Sequence, residues 1–148
     1  MPDPRPDPRP DAPSVLFVCV KNGGKSQMAA ALMRQLAGDT VAVESAGTRP
    51  GDAVNELSAA SLAEIAIDIS DQTPKPVTHD LVEAADIVVT LGRDAHVDPV
   101  PGTSVETWDT DEPSVRGIEG IERMRLVRDD IATRVRELAA RLGVTPSP

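Results

Sequence analysis

Two uninterrupted apolar runs constrain the fold of this chain more than any other feature of its sequence. Residues 14–20 read SVLFVCV and residues 86–91 read DIVVTL, and both runs are rich in β-branched side chains. Runs of this length without polar alternation are typical of strands that are buried on both faces, as in parallel sheets. We therefore expect a sheet that is covered by helices on each side.

Helical patterns lie between and after these candidate strands. Residues 118–142 carry apolar side chains at steps of three and four, which indicates one long amphipathic helix whose arginines and acids form a solvated surface. Shorter segments predict two further strands at 40–45 and 104–108. They also predict three helices at 27–37, 53–66 and 78–85. On the helix at 53–66, Leu57, Leu62 and Ile65 are expected to face the core. Strands that alternate with helices predict an α/β, three-layer domain with a central, mostly parallel four-stranded sheet.

Composition bounds the partners and the compartment. The 148 residues include 15 basic and 24 acidic side chains, a formal charge of −9, which disfavours general nucleic-acid binding. No apolar stretch approaches the roughly 20 residues that span a bilayer, and the start lacks the apolar segment of a secretory signal. We expect a cytoplasmic protein that binds neither nucleic acid nor membrane. Six of the 14 prolines lie at or before Pro13, which predicts a disordered tail at 1–13 and a single catalytic domain at 14–148.

The only Cys of the sequence, Cys19, ends the first apolar run and opens the octet CVKNGGKS, which leads into a helix. Glycines allow successive backbone N–H groups to face inward, and a helix N-terminus adds donors and partial positive charge. Two of the three lysines lie in this octet. The octet therefore predicts a site for phosphate or arsenate, in which the electropositive surroundings favour a nucleophilic thiolate at Cys19. The predicted oxyanion-binding residues are Val20, Lys21, Asn22, Gly23, Gly24, Lys25 and Ser26.

A nucleotide-binding loop is the competing interpretation of this octet. Residues 24–26 match the end of the P-loop motif G-x-x-x-x-G-K-[ST], but Cys19 stands where its first glycine is required. The Mg²⁺-binding Asp that such a loop needs has one weak candidate, Asp94. Nucleotide hydrolysis is therefore less favoured. His79 and His96 lack the spacing of metal ligands, so no metal site is expected.

The octet and the segments around it resemble the low-molecular-weight protein tyrosine phosphatase superfamily, and within it the arsenate reductases. The family loop is C-x5-[RK]-S with an Asn three residues after the Cys, and Cys19, Asn22, Lys25 and Ser26 stand at those positions. The runs FVCVKNGGKSQMAAALM and WDTDEPSVRGIEGIERMRLVRDDI look closest to actinobacterial arsenate-mycothiol transferases, which carry Lys where the phosphatases have Arg. VESAGTRPG and IDISDQTPK also resemble connecting segments of the reductases.

The resemblance implies roles for individual residues. Cys19 would attack or help to activate arsenate, which the loop N–H groups and Lys25 hold. Asn22 would shape the loop, and Ser26 would donate a hydrogen bond to the sulfur. In the superfamily an Asp directly before a Pro protonates the departing oxygen. Here Glu112 stands directly before Pro113 and Asp111 precedes it, so position favours Glu112, residue type favours Asp111 slightly, and both stay candidates.

The number of cysteines decides the route of the electrons. Thioredoxin-coupled relatives carry two further Cys, which this sequence lacks, so an external thiol must complete the reaction. The resemblance implies mycothiol as co-substrate and a mycoredoxin that finishes the reduction, with no bound cofactor. Ser114 and Val115 replace the aromatic residues with which the phosphatases clamp phosphotyrosine, which favours a small inorganic oxyanion. A phosphatase acting on small phosphoesters, or a non-catalytic oxyanion-binding protein in which Lys25 replaces Arg, stays open as an alternative.

Overall fold

The computed structural model describes residues 12–144 of the chain. The strands within this range are β1 (Ser14–Cys19), β2 (Ala42–Gly47), β3 (Ile87–Leu91) and β4 (Ser104–Trp108). The helices are α1 (Lys25–Ala37), α2 (Glu56–Ala63), α3 (His79–Ala84) and α4 (Gly120–Arg141), with short 3₁₀ turns at Gly38–Thr40 and Pro113–Arg116. The tail predicted for residues 1–13 lies almost wholly outside the described residues, so the division into tail and domain stays a prediction.

The strands form one parallel sheet in the order β2-β1-β3-β4. The register pairs Cys19 with Gly47 and Leu91 with Trp108, so the C-terminal ends of all these strands meet at one edge. β2 and β3 lie on opposite sides of β1, which makes the loop after β1 a topological switch point. Open parallel sheets bind their ligands at such points.

Both faces of the sheet are buried, as the apolar run of β1 predicts. Because side chains alternate along a strand, Val15 and Phe17 pack with α1, α2 and α4, whereas Leu16 and Val18 pack with α3. The Phe17 ring centroid lies 5.7 Å from that of Trp108, which closes the core toward β4. These layers confirm the predicted fold class.

Helix α2 is shorter than predicted, and the prediction that three of its apolar side chains face the core is wrong for two of them. Asn55 Oδ1 accepts a hydrogen bond of 2.9 Å from Ser58 N, so this side chain caps the helix and fixes its start. Of the three side chains expected in the core, only Leu62 is buried. Leu57 and Ile65 are each 40% exposed, because the two turns of α2 present a single narrow face to the core and Ile65 lies beyond the end of the helix.

Helix α4 confirms the predicted spacing of three and four. Its side chains buried against the core are Met124, Val127, Ile131, Val135, Leu138 and Ala139. The first turns of α4 flank the loop after β1, since Met124 and Val127 line one cavity together with Gly23 and Gly24 of that loop. Across residues 12–144, no helix is both long and apolar enough to cross a membrane.

Candidate active site

The loop after β1 turns its carbonyl groups outward. Backbone N–H groups of residues 48–55 donate hydrogen bonds of 2.6–3.1 Å to the carbonyl oxygens of Cys19, Val20, Lys21 and Gly23. Because the N–H of a trans peptide points away from its C=O, these peptides direct their N–H groups into the loop. One of them, the N–H of Asn22, donates to Cys19 Sγ at 3.2 Å. Residues 19–26 therefore form an anion nest, with the sulfur at its base.

Gly47, the last residue of β2, is required for this arrangement. A Cβ atom built on Gly47 would lie 2.7 Å from the carbonyl oxygen of Val20 and 3.0 Å from the backbone N of Asn22, and backbone atoms cannot yield to such a contact cheaply. The missing side chain lets β2 end against the anion nest. The sequence analysis missed this residue, although a glycine two positions after the predicted strand at 40–45 was the available signal.

A chain of hydrogen bonds directs the hydroxyl of Ser26 toward Cys19. The backbone N–H of Lys75 donates to Asn22 Oδ1 at 3.0 Å, which assigns the oxygen of the amide because a backbone N–H can only donate. Asn22 Nδ2 then donates to Ser26 Oγ at 2.7 Å, and Ser26 Oγ lies 2.9 Å from Cys19 Sγ. With its oxygen accepting from the amide, Ser26 has its own hydrogen available for the sulfur. Two donors therefore converge on Cys19, which stabilises an anionic sulfur.

The backbone of Asn22 explains why an amide residue stands at this position. Its φ of 52° lies in the left-handed region, which Asn tolerates better than most residues. The side chain of Gln27 also donates to the Asn22 carbonyl oxygen at 3.1 Å. Asn22 is fully buried, so its amide acts as an internal brace of the anion nest.

Lys25 links the anion nest to the acidic segment that follows β4. It is the first residue of α1, and its Nζ lies 3.7 Å from Glu112 Oε1. An ammonium supplies a point charge to an oxyanion, where a guanidinium would supply a planar fork of donors. Lys21, by contrast, is exposed at the rim of the loop.

The two candidate acids are held by different arginines. Arg116 donates to both oxygens of Asp111, at 2.8 and 3.1 Å, and these hydrogen bonds hold the pKa of Asp111 below its ordinary value. Arg123 donates to both oxygens of Glu112, at 2.9 and 3.0 Å. Partial burial raises the pKa of Glu112, but Arg123 and the Ser114 hydroxyl outweigh burial and lower it. Glu112 lies beside Lys25 and Asp111 is bound to Arg116, and the charge of Lys25 contributes to the lowered pKa of both carboxyls.

The sequence predicted the contiguous residues of the nest, but it did not predict the residues from other segments that contact the nest or the candidate acids. Arg123 belongs to the arginines expected to form a solvated helix surface, and the structure instead places its guanidinium on Glu112. Lys75 contributes a backbone N–H, which no side-chain pattern reveals. His79 and His96 each pair with an acid near in sequence. Among residues 12–144, no group of three or more His, Cys, Asp or Glu side chains is arranged to hold a metal ion.

Comparisons with known proteins agree with this geometry. The family model described as low molecular weight phosphotyrosine protein phosphatase matches residues 14–145. Arsenate reductase 1 of Staphylococcus haemolyticus is 35% identical over 130 residues, which cover 86% of this chain and 95% of that protein.

Solved structures of arsenate reductases are also similar to this chain. A thioredoxin-dependent arsenate reductase of Corynebacterium glutamicum superposes with a TM-score of 0.76 at 36% identity. That match covers 89% of this chain and 62% of the other, so this chain spans less than two thirds of that protein. An arsenate reductase in a phosphate-binding state superposes with a TM-score of 0.73 at 29% identity, over 88% of this chain and 98% of the other.

Proposed function

Because this chain belongs to the low-molecular-weight phosphotyrosine protein phosphatase family, in its arsenate reductase branch, we propose that it is an arsenate reductase that transfers arsenic to mycothiol. The anion nest around Cys19 is the observation that supports this proposal most directly. Its N–H groups face inward, and two donors point at the sulfur. We assign the activity to the cytoplasm, where thiols stay reduced.

Arsenate is held in the nest by charge and by hydrogen bonds together. The inward N–H groups and the N-terminus of α1 supply donors and partial positive charge to its oxygens. Lys25 adds a full positive charge at the mouth of the nest. The arsenic atom then lies over Cys19 Sγ, in line for attack by the sulfur.

The first chemical step forms a sulfur–arsenic bond. The Cys19 thiolate attacks arsenic, one arsenic–oxygen bond breaks, and that oxygen leaves as water after it receives a proton. Glu112 is the donor that the geometry favours, since its carboxyl adjoins Lys25. A bound arsenate places negative charge beside Glu112 and so raises the pKa of this carboxyl, which opposes the effect of Arg123 and increases its protonated fraction.

The second step moves arsenic to the external thiol. The thiolate of mycothiol attacks arsenic, the bond from arsenic to Cys19 breaks, and the Cys19 thiolate returns to its starting state. Arsenic is still pentavalent in the mycothiol adduct. A mycoredoxin thiolate then attacks the sulfur of the adduct, so that a disulfide forms and the electron pair of the sulfur–arsenic bond stays on arsenic. Arsenite is released, and the two thiols have supplied two electrons.

The single cysteine of the sequence supports an external thiol as reductant. The Corynebacterium glutamicum neighbour is, by its name, thioredoxin-dependent. With Cys19 alone, this sequence cannot form an internal disulfide that thioredoxin would reduce. Mycothiol is proposed on the resemblance of the loop and of the segment around Trp108 to arsenate-mycothiol transferases.

One coupled assay tests the proposal. The protein is incubated with arsenate, mycothiol, a mycoredoxin and its NADPH-dependent reducing system, and NADPH oxidation is followed. We expect oxidation that requires every component and that falls to background in Cys19→Ser. Thioredoxin and its reductase are expected not to replace mycothiol and mycoredoxin. Absence of arsenate-dependent oxidation with wild-type protein would overturn the proposal.

Two parallel arms separate the alternatives. Hydrolysis of 4-nitrophenyl phosphate that is faster than arsenate turnover would identify a phosphatase for small phosphoesters. Protection of Cys19 from iodoacetamide by arsenate, without turnover in either assay, would identify an oxyanion-binding protein. The Lys25→Arg variant tests whether Lys25 limits oxyanion binding. A guanidinium at this position can donate two parallel hydrogen bonds to the oxyanion, so we expect this variant to bind arsenate more tightly.

A further inference from the structure

Gln27 is a buried polar residue in the first turn of α1, directly after the residues of the anion nest. Its side chain is 1% exposed, and its Nε2 lies 3.1 Å from the backbone oxygen of Asn22 and 3.4 Å from Asn22 Oδ1. Both of these oxygens are acceptors, since Oδ1 receives the N–H of Lys75, so the amide of Gln27 must present its nitrogen to them. Gln27 Oε1, at the other end of this amide, has no hydrogen-bond partner among residues 12–144. Within that range the amide is therefore held through its nitrogen.

The carbonyl of Asn22 is held differently from the carbonyls on either side of it in the loop. Backbone N–H groups of residues 48–55 hold the carbonyls of Cys19, Val20, Lys21 and Gly23. Asn22 stands between the last two, and its carbonyl accepts from the side chain of Gln27. Because a trans peptide directs its N–H away from its C=O, this contact fixes the direction of the N–H of Gly23. One side chain thus completes a set of inward donors whose other members depend on backbone contacts.

The peptide that joins Asn22 to Gly23 needs such a contact to keep its direction. It lies between a residue in the left-handed region, with φ of 52°, and a glycine, which adopts many backbone conformations. The side chains on either side of this peptide therefore limit its rotation only weakly. A carbonyl that turned inward would present an acceptor to the anion in place of a donor, and the hydrogen bond from Gln27 opposes that rotation.

We propose that Gln27 is a positioning residue for the oxyanion, which acts through Asn22 to keep the N–H of Gly23 directed into the nest. The inference rests on the proposed function, to which it adds a determinant of oxyanion affinity outside the octet CVKNGGKS. A donor that is fixed before the anion arrives needs no rearrangement on binding, so its hydrogen bond contributes fully to affinity.

The donors to the sulfur are held independently of Gln27. The backbone N–H of Gly51 holds the carbonyl of the peptide whose N–H, on Asn22, points at the sulfur. The backbone N–H of Lys75 holds the amide that orients the hydroxyl beside the sulfur. Loss of the Gln27 amide is therefore expected to weaken anion binding while the thiolate of Cys19 keeps its wild-type reactivity.

Gln27→Met tests this role, because it removes the donor and keeps nearly the same side-chain length. We expect the concentration of inorganic phosphate that half-protects Cys19 from iodoacetamide to rise at least about tenfold, since one hydrogen bond to a charged group is lost. The alkylation rate without phosphate is expected to change less than about twofold, because both donors to the sulfur remain. Gln35→Met makes the same substitution at an exposed position of α1, roughly 12 Å along the helix at 1.5 Å per residue, and is expected to leave both values unchanged.

A second variant and a stability measurement separate positioning from a role in the core. Gln27→Leu removes the same donor with a side chain of another shape, and it is expected to raise the half-protecting phosphate concentration as Gln27→Met does. A lower urea midpoint with an unchanged half-protecting concentration would assign Gln27 to the core alone and overturn the proposal. An alkylation rate without phosphate that falls in parallel with phosphate affinity would show that the nest collapses as a whole, which would also overturn it.

The backbone amide of Gly23 gives a direct readout that includes the wild-type protein. In protein labelled for NMR, phosphate is expected to move the Gly23 amide signal downfield, because this N–H then donates to the anion, and Gln27→Met is expected to lose most of that shift. A Gly23 signal that phosphate leaves unmoved in the wild type would overturn the inference.

None of these measurements requires turnover, so the inference and the proposed function can fail separately. Phosphate protection that depends on Gln27, in a protein that does not reduce arsenate, would support the inference and contradict the proposed function. Arsenate turnover with the same KM for arsenate in wild type and Gln27→Met would support the proposed function and overturn the inference.

Discussion

Ser26 determines the state of Cys19 more directly than any other side chain. Its oxygen accepts from Asn22, so its hydrogen faces the sulfur 2.9 Å away. A hydrogen bond to a charged group contributes about 1.5–3 kcal/mol. We expect Ser26→Ala to slow alkylation of Cys19 by iodoacetamide at pH 7 roughly tenfold, since about 1.4 kcal/mol corresponds to that factor.

The matched control for Ser26→Ala is Ser104→Ala, at an exposed position of β4. This control removes the same hydroxyl far from the sulfur, and it is expected to leave the alkylation rate as in the wild type. Equal rates in Ser26→Ala and wild type would mean that the hydroxyl does not stabilise the thiolate.

Glu112 and Asp111 are separated by their surroundings rather than by their type. Glu112 adjoins Lys25 and is bound by Arg123, whereas Asp111 is bound by Arg116, and the two carboxyls are exposed to a similar extent. General acids contribute about 10²–10⁴-fold to a rate. We expect Glu112→Gln to lower the rate of Cys19 arsenylation in rapid-quench experiments by such a factor, and Asp111→Asn to change it less than threefold. The reverse ranking would assign the acid to Asp111.

The residues of the nest could be predicted because they are neighbours in the chain. Cys19, Asn22, Lys25 and Ser26 lie within one octet, where spacing alone fixes which groups meet. Arg123 could not be predicted in the same way, because its contact with Glu112 depends on how the start of α4 packs against the segment after β4. A sequence pattern of alternating charges describes a helix surface equally well.

At the scale of the elements, hydrophobic periodicity predicted long segments well and short ones poorly. The 22 residues of α4 contain enough turns for the core face to stand out. The eight residues of α2 do not, and the cap at Asn55 decides where that helix begins. The support of the nest by residues 48–55 depends on backbone groups, which carry no side-chain signature.

The segment after β4 is attached to its surroundings by ion pairs that depend on pH. Arg116 and Arg123 hold the pKa values of Asp111 and Glu112 below their ordinary values of 3.8 and 4.5. A carboxyl whose pKa is lower in the folded state stabilises that state fully above the unfolded value, and the contribution is lost as pH falls through the folded value. Stability is therefore expected to fall below about pH 4.5.

Arg123→Met tests this attachment. Without the guanidinium, burial raises the folded-state pKa of Glu112 against only the Ser114 hydroxyl and Lys25, so less stability is left to lose in acid. We expect the variant to be less stable by under about 1 kcal/mol at pH 7, because the pair is partly exposed, and the difference to shrink at pH 3. Urea unfolding at both pH values measures it. Arg136→Met, on the same helix without a carboxylate partner among residues 12–144, is the control, and a difference that stayed constant with pH would contradict the assignment.

At the scale of the whole molecule, the parallel sheet explains how an acidic protein binds an anion. The net charge of −9 is spread over the chain, while the strand ends collect Lys21, Lys25 and Arg123 around one edge. Alternation of strands and helices predicted this edge, because parallel connections place every βα loop on the same side. The strand order itself was not predictable, since several orders bury the same apolar runs equally well.

The single cysteine of the sequence limits how much arsenite each protein chain can release without an external thiol. Reduction of arsenate to arsenite takes two electrons, and a thiol supplies them only when a second thiol closes a disulfide. Cys19 is 8% exposed at the base of the nest, so the Cys19 of a second molecule cannot reach it. With arsenate and no external thiol, we expect no arsenite above the protein-free background, measured by chromatography with elemental detection, and no disulfide-linked dimer on a non-reducing gel. Mycothiol and mycoredoxin together are expected to restore arsenite release. Half an equivalent of arsenite per chain with a covalent dimer would show that two protein cysteines reduce arsenic directly, and the external thiol would then not be obligatory.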